Sequence, residues 1–394
     1  VRLFLLASVL RGFALLGLHA VLFNLYLLRL GYGPEFVGLV SAAGSFALAG
    51  FSPLAGALST RWGGRRVLIL SVALILVGSG LLPCSDLVPD ALQTAWLVAC
   101  SVLMQSGRAA YFVSSLPFLM SVTAERERGF AFSSQVALEP LAAFGGSLLG
   151  GALPALCASW FGLSLQAPDA YRLSLALTPF LQLPAIAALL ATSDRRARSP
   201  AKASGVAGAP PWVPIAVMTV VVMLRTSALG AVGTFFNVYL DDELSVSTAG
   251  IGVLSGVAQL LSVPAALLAP PLVARYGRVS GITLGSLCIT ASMLPLACIP
   301  HWSAAGLGFA GATACFAMTT GPIRVHSQEI VAPQWRGTMA GAVLTGVGLT
   351  YAAMALAGAY SITALGYRGV FLAGAALTAA GALLFWAVFR MPRA

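Results

Sequence analysis

Long apolar runs separated by short polar clusters set the pattern of this chain. A hydrocarbon layer of about 30 Å takes roughly 20 helical residues to cross. Runs of that length fall at 3–28, 35–59, 67–84, 91–121, 130–156, 171–191, 213–240, 247–273, 281–299, 303–327, 338–363 and 367–390. Within lipid each backbone N–H and C=O has to be satisfied by the segment itself, which favours helices. The pattern therefore predicts an all-α polytopic membrane protein of twelve helices. Connections between runs are short and leave no room for a catalytic domain outside the membrane. One stretch differs: SDRRARSPAKASGVAGAPP, from Ser193 to Pro211, is polar, basic and rich in Pro, Gly and Ala, the composition of a linker. It divides the chain into an N-terminal six-helix bundle (1–192), a linker (193–211) and a C-terminal six-helix bundle (212–394).

The two bundles repeat each other. Leu10-Arg11 followed by Phe23-Asn24-Leu25-Tyr26-Leu27 in helix 1 returns as Leu224-Arg225 and Phe236-Asn237-Val238-Tyr239-Leu240 in helix 7. Gly38 and Ser41 match Gly252 and Ser255, and Arg128-Gly129 matches Arg336-Gly337. Two pseudo-symmetric halves of six helices are the architecture of many secondary transporters, whose substrate sites lie between the halves.

Composition agrees. Hydrophobic residues make up 59% of the chain and charged residues 9%, with a mean hydropathy of +0.92; a soluble domain carries about 25% charged residues. A soluble enzyme, a disordered chain and a secreted disulfide scaffold are excluded. The net charge of +10 belongs to loops and topology, not to a nucleic-acid partner. Arg2, Arg61, Arg65, Arg66, Arg126, Arg128, Arg195, Arg196, Arg198, Lys202, Arg275, Arg278, Arg336, Arg390 and Arg393 fall on one side, and only Arg29, Arg172 and Arg368 on the other. By the positive-inside bias the first side is cytoplasmic. The expected location is the cell membrane, with both termini inside. Acidic residues gather in the outer loops: Glu35, Asp86, Asp90, Asp169, Asp241, Asp242 and Glu243. The six cysteines form no CxxC pair and read as buried, inert thiols.

The loop after helix 2 reads Gly56-Ala57-Leu58-Ser59-Thr60-Arg61-Trp62-Gly63-Gly64-Arg65-Arg66, and a weaker copy, Leu272-Val273-Ala274-Arg275-Tyr276-Gly277-Arg278, follows helix 8. This resembles the Gly-x-Leu-x-Asp-Arg-x-Gly-Arg-Arg loop of the major facilitator superfamily, in both places where that family carries it. The resemblance covers the whole chain and implies that family's fold and alternating access. Thr60 stands where the family has an Asp that helps latch the halves on the cytoplasmic side. The latch is then either absent or made by Arg61 and a helix C-terminus elsewhere. Gating through Gly56, Arg61, Gly63, Arg65, Arg275 and Gly277 stands beside plain topology signal as the reading of these loops.

Four arginines lie within spans: Arg11, Arg108, Arg225 and Arg324. A helix-centre Arg costs on the order of 2.5–3.5 kcal/mol on insertion scales, so such residues face a cavity or a partner. The resemblance implies that their helices, 1, 4, 7 and 10, line the central cavity. On helix 4, Ser101, Gln105, Arg108, Tyr111 and Ser115 form one polar stripe at helical spacing. Arg108 reads as a substrate or counter-ion ligand or as part of a structural ion pair. Arg11 and Arg225 are equivalent in the repeat and are similar to the arginine pair of the organophosphate/phosphate antiporter branch; Arg11 also lies near enough to the cytoplasmic end to snorkel. Guanidinium forks match oxyanions and stay charged. Arg324, beside His326 and Glu329, suits snorkelling or a cytoplasmic gate better than substrate contact. Glu139, on helix 5, is the one carboxylate clearly inside a span, and is either a proton carrier or fixed by Arg11 or Arg108. Gln259 on helix 8 joins the candidates for the cavity. Asn24 and Asn237 read as interhelical anchors or an outer gate.

No metal spacing, nucleotide loop or catalytic motif is present, so no cofactor and no enzymatic activity are expected. The expected partners are a small-molecule substrate, biased toward anions, a proton or counter-substrate, and the lipid bilayer, with the chain acting as a monomer. The alternative is a proton-coupled exporter of hydrophobic or cationic compounds.

Overall fold

The computed structural model describes residues 1–123, 125–192 and 211–390. The linker read at 193–211 lies outside the described residues except for Pro211, as does Arg393. Twelve helices follow in order: α1 (Arg2–Arg29), α2 (Pro34–Trp62), α3 (Gly64–Leu81), α4 (Asp90–Val122), α5 (Glu125–Phe161), α6 (Pro168–Leu190), α7 (Trp212–Asp242), α8 (Thr248–Leu267, continued by Ala269–Tyr276), α9 (Arg278–Cys298) and α10 (Trp302–Glu329). The last helical stretch, Arg336–Phe389, is broken at Gly366, whose φ of 65° suits a residue without a side chain. It forms α11 (336–365) and α12 (367–389). No strand occurs among the described residues.

Among the described residues, nine stretches are long and apolar enough to cross a membrane by length and composition, the 54-residue pair α11–α12 counting as one. α4 and α10 fall short of that measure. Gln105 and Arg108 interrupt the middle of α4, and Gly, Ser and Thr dilute the first turns of α10. These are helices whose polar groups meet protein rather than lipid. Gly63 (φ 89°) and Gly277 (φ 79°) make the tight α2–α3 and α8–α9 turns, the two places where the loop motif repeats.

Alternation of the helices puts both chain ends and the α2–α3, α8–α9 and α10–α11 turns on one side, called here the basic side. The acidic loops lie on the other. One large buried cluster on the acidic side mixes both halves, including Leu22, Leu25, Tyr26, Phe235, Phe236 and Phe371. Toward the basic side the core divides. Phe4, Leu68, Val72, Phe118 and Leu189 pack within the N-terminal half, and Ile215, Met218, Ile282, Met339 and Phe385 within the C-terminal half. The halves are thus joined on the acidic side and part on the basic side.

The contacts between halves use small residues, which let helices come close in lipid. A Cβ on Gly38 of α2 would come within 2.4 Å of Ala359 Cβ on α11, and one on Gly252 of α8 within 2.5 Å of the Ser147 carbonyl on α5. Gly38 and Gly252 are equivalent in the repeat. The six cysteines are free thiols; Cys100 and Cys157 are buried as expected, but Cys288 and Cys298 are exposed. Lipid solvates an apolar thiol as well as protein does, so composition alone does not place it.

Candidate functional site

The site is built around a close approach of α1 and α5. A Cβ on Gly12 would lie 2.7 Å from the Glu139 carbonyl, and one on Gly146 only 2.0 Å from the Phe13 carbonyl; Gly17 and Gly150 continue the seam. This contact brings Arg11 and Glu139 together. Arg11 Nη2 lies 2.7 Å from Glu139 Oε1, with side-chain exposures of 1% and 16%. The guanidinium sits 4.0 Å from the centroid of the Tyr111 ring on α4. Tyr111 shares a 2.6 Å hydrogen bond with Ser8 and makes a long 3.5 Å contact to Glu139 Oε1. Arg11 therefore does not snorkel: its charge is met by a carboxylate and an aromatic face inside the N-terminal half.

Immediately after Arg11, α1 winds as a π-helix over Gly12–His19. The equivalent point of α7 is also irregular: Arg225 is followed by Thr226 at φ −91°, ψ 0°, where the helix breaks and resumes at Ser227. Each repeat thus distorts its first helix just past the arginine, as helices often do at functional positions.

Arg225 is buried but meets no carboxylate. It donates to Ser286 Oγ on α9 at 3.2 Å and to Thr319 Oγ1 on α10, and lies 5.1 Å from the centroid of the Phe316 ring. Arg108 donates to Gln105 Oε1 at 2.7 Å, one turn back on α4, and its Nε is buried without a partner. Neither Arg108 nor Arg225 belongs to any ion pair among the described residues. Tyr351 on α11 lies within electrostatic range of both. Arg324 is exposed where the halves part, within range of Glu139.

His19, which the sequence reading passed over, closes the π-helical stretch. Its ring stacks on Phe23 at 5.0 Å, its Nδ1 is buried without a partner, and it lies within electrostatic range of Arg108. A histidine inside an apolar run was the signal that marked it.

The other candidates scatter. Gln259 is half-buried on α8 and its amide makes no hydrogen bond among the described residues. Ser101 leaves the α4 stripe to donate to the Val40 carbonyl on α2. At the α2–α3 turn Arg61 is exposed, and it is Arg65 that reaches a helix C-terminus, donating to the Leu189 and Leu190 carbonyls of α6. In this arrangement, with the halves parted on the basic side, the capping contact is made by Arg65 and stays within one half. Gly56 and Arg275 lie on the same side as that turn, and Arg278 pairs with Glu329. His326 packs edge-on against Phe385 and Phe389. Asn24 and Asn237 cross between halves reciprocally: Asn24 Nδ2 donates to the Thr234 carbonyl and Asn237 Nδ2 to the Ala20 carbonyl, each at 2.8 Å.

The Major Facilitator Superfamily model matches residues 4–345 and 215–394. The chain belongs to the major facilitator superfamily. Among solved structures it is similar to a D-xylose-proton symporter (TM-score 0.74, 16% identity, 98% of this chain and 96% of that one). It is likewise similar to a bacterial homologue of the human lysosomal transporter Spinster (TM-score 0.73, 16% identity, 99% and 96%) and to a nucleoside transporter (TM-score 0.74, 15% identity, 98% and 99%). No curated protein matches the chain. This member of the superfamily is therefore a multi-pass membrane protein with a transporter fold, not an enzyme. Among the described residues, one of its four span arginines, Arg11, has an ion-pair partner, and three, Arg108, Arg225 and Arg324, have none.

Proposed function

We propose that the chain is a secondary active transporter of a small anionic solute, bound between residues 1–192 and 212–394 and moved by alternating access in the cell membrane. One observation carries this reading: Arg108 and Arg225 come from different halves, belong to no ion pair among the described residues, and both lie within electrostatic range of Tyr351. A guanidinium offers a rigid fork of donors to an oxyanion. An anion between the halves would neutralise both arginines and favour closure around it. Gln105, Thr319 and Ser286, already bonded to these arginines, hold the forks in place. Each chain holds a complete site between its own halves, so a monomer suffices. With the basic side cytoplasmic, the arrangement described above is inward-open.

Glu139 is the coupling candidate. Its carboxylate keeps 16% exposure while Arg11 is sealed, so a proton can reach it from the cleft and release Arg11. This same observation supports the second reading, proton-coupled export of hydrophobic compounds. A thermal-shift panel on the purified chain in detergent separates the two. Anions (phosphate, organophosphates, carboxylates) are set against lipophilic cations, neutral sugars and nucleosides. Ligand at 100 times its Kd stabilises by about 2.7 kcal/mol in the two-state limit. The expected result is stabilisation by an anion that disappears in Arg108→Ala. Stabilisation by lipophilic cations alone selects the exporter reading, with Glu139→Gln as the next variant to test for loss of pH-driven transport.

A further inference from the structure

The span arginines and Glu139 leave one reactive pair unused, the thiols of Cys288 on α9 and Cys315 on α10. These two helices run antiparallel, and two close contacts set their register. A Cβ on Gly285 of α9 would press on the Thr319 side chain of α10 and lie 3.3 Å from Met318 Cε, and one on Gly311 of α10 would lie 2.6 Å from Ser292 Oγ of α9. The register that opposes Gly285 to Thr319 and Ser292 to Gly311 also opposes Cys288 to Cys315, which stand between those contacts. The two thiols accordingly lie within hydrogen-bonding range of each other. Both are near the middle of their helices, Arg278–Cys298 and Trp302–Glu329. α9 packs on α10 and, where Thr290 approaches the Ala375 carbonyl, on α12 of the same half. Cys288 is exposed and Cys315 half-buried, so the pair opens onto hydrocarbon at mid-membrane depth.

The setting of this pair selects what it takes up. No cluster of three or more His, Cys, Asp or Glu suited to a metal ion occurs among the described residues, so the four-ligand shell of zinc is out of reach. A bare metal cation would also have to enter hydrocarbon without compensation. A neutral electrophile that takes two sulfurs meets neither obstacle. We infer that Cys288 and Cys315 form a dithiol site for a neutral, lipid-soluble trivalent arsenical, which bridges the two sulfurs and ties α9 to α10. The step balances for an arsenoxide. Each sulfur forms one bond to arsenic, the arsenic–oxygen bond is lost, and the two thiol protons leave with that oxygen as one water. Arsenic stays trivalent and nothing is oxidised. The bridge lies beside the surroundings of Arg225. Ser286 and Thr319, which accept from that guanidinium, stand on the same two helices, and Thr319 also donates to the Cys315 carbonyl at 2.9 Å. Phe316, next in sequence to Cys315, has its ring centroid 5.1 Å from the guanidinium. The inference does not depend on the sign of the substrate.

Phenylarsine oxide is the probe, applied to the folded full chain in detergent. Excess reagent is removed, the chain is denatured in the presence of N-ethylmaleimide, and the peptides are mapped by mass spectrometry, so that every thiol left free is labelled whatever its exposure in the fold. The expected result on the unsubstituted chain is that Cys288 and Cys315 escape the maleimide together and share one phenylarsenic group. 1,2-Ethanedithiol, which offers arsenic two sulfurs at once, should release both, and 2-mercaptoethanol at equal thiol concentration should not. A second sulfur held in place acts at high effective concentration, so in Cys288→Ala and in Cys315→Ala the remaining thiol should need at least about a hundredfold more arsenical for the same protection. Labelling of both cysteines after treatment of the unsubstituted chain overturns the site without recourse to any variant. Protection in the single-cysteine variants at the same arsenical concentration, or release of the unsubstituted chain by 2-mercaptoethanol, also overturns it, because each thiol would then be reacting alone.

Discussion

At the scale of single residues, the Arg11–Glu139 pair is asymmetric. Arg11 is sealed at 1% side-chain exposure, while Glu139 keeps 16%. Removing one partner of a buried pair costs about 3–5 kcal/mol, because the other charge is left unmatched. Glu139→Gln strands a guanidinium that stays charged and has no route to water, so it should lower the thermal midpoint in detergent more than Arg11→Gln does. The latter leaves a carboxyl that can take up a proton or meet water from the cleft. The double substitution Arg11→Met with Glu139→Leu should lose less than Glu139→Gln alone. Additive losses in the double variant would show that the two residues are not coupled. Sequence alone marks both residues, since a charge in an apolar run stands out. It leaves Glu139 divided between Arg11 and Arg108, because the choice depends on where α1, α4 and α5 meet. Ser286 and Thr319 carry no mark at all. Each hydroxyl also donates to the carbonyl one turn back, to Ile282 and Cys315 respectively, as a serine or threonine in any buried helix does.

At the scale of helices, the α1–α5 seam decides whether the site exists. Gly146 is its tightest point, where an added Cβ meets the Phe13 carbonyl, a backbone atom with no freedom to move aside. Gly146→Val should therefore push α1 away from α5, separate Arg11 from Glu139, and reduce the yield of monodisperse protein in size-exclusion chromatography. Gly50→Ala is the matched control, because nothing lies within 4 Å of its Cβ position and alanine favours helix by about 1 kcal/mol in a soluble setting. Equal behaviour of the two variants would mean that the seam does not position the pair. The number of helices, the two halves and the repeat are all legible in the sequence because bilayer thickness converts directly into run length. The π-helical stretch at Gly12–His19 and the break at Thr226 are not. Both lie in nearly uniform apolar sequence, where hydrophobic periodicity is too flat to show a change of winding. Hydropathy alone also undercounts, missing α4 and α10, whose inward polar residues are what make them functional candidates.

At the scale of the whole molecule, the halves are clamped on the acidic side by three sets of contacts that must open together. Arg29 on α1 holds Asp241 on α7 through two hydrogen bonds of 2.6 and 2.8 Å. Tyr171 on α6 bonds Thr248 on α8 at 2.7 Å, and Asn24 and Asn237 exchange bonds across α1 and α7. Small-residue seams close the rest, with Gly38 against α11, Gly348 against Ala49 of α2, and Gly252 against Gly151 of α5. The Arg29–Asp241 pair is partly exposed and a single hydrogen bond contributes only about 1 kcal/mol net, so the seams should carry most of the bias toward this state. Gly252→Leu puts a side chain where its Cβ already meets the Ser147 carbonyl and the Gly151 Cα. It cannot be accommodated while the acidic side is shut, but can be once α5 and α8 separate. Spin labels at Gln166 and Ile299, both exposed and on opposite halves, report that separation in a background lacking the six native cysteines. Gly252→Leu should shift the label distance distribution toward longer values, and Asp241→Asn should do so less. If Asp241→Asn opens the acidic side while Gly252→Leu leaves it shut, the clamp is electrostatic and the packing argument fails. If Gly252→Leu opens it, close packing of small residues sets the resting state, and substrate binding has to supply the free energy that separates those seams.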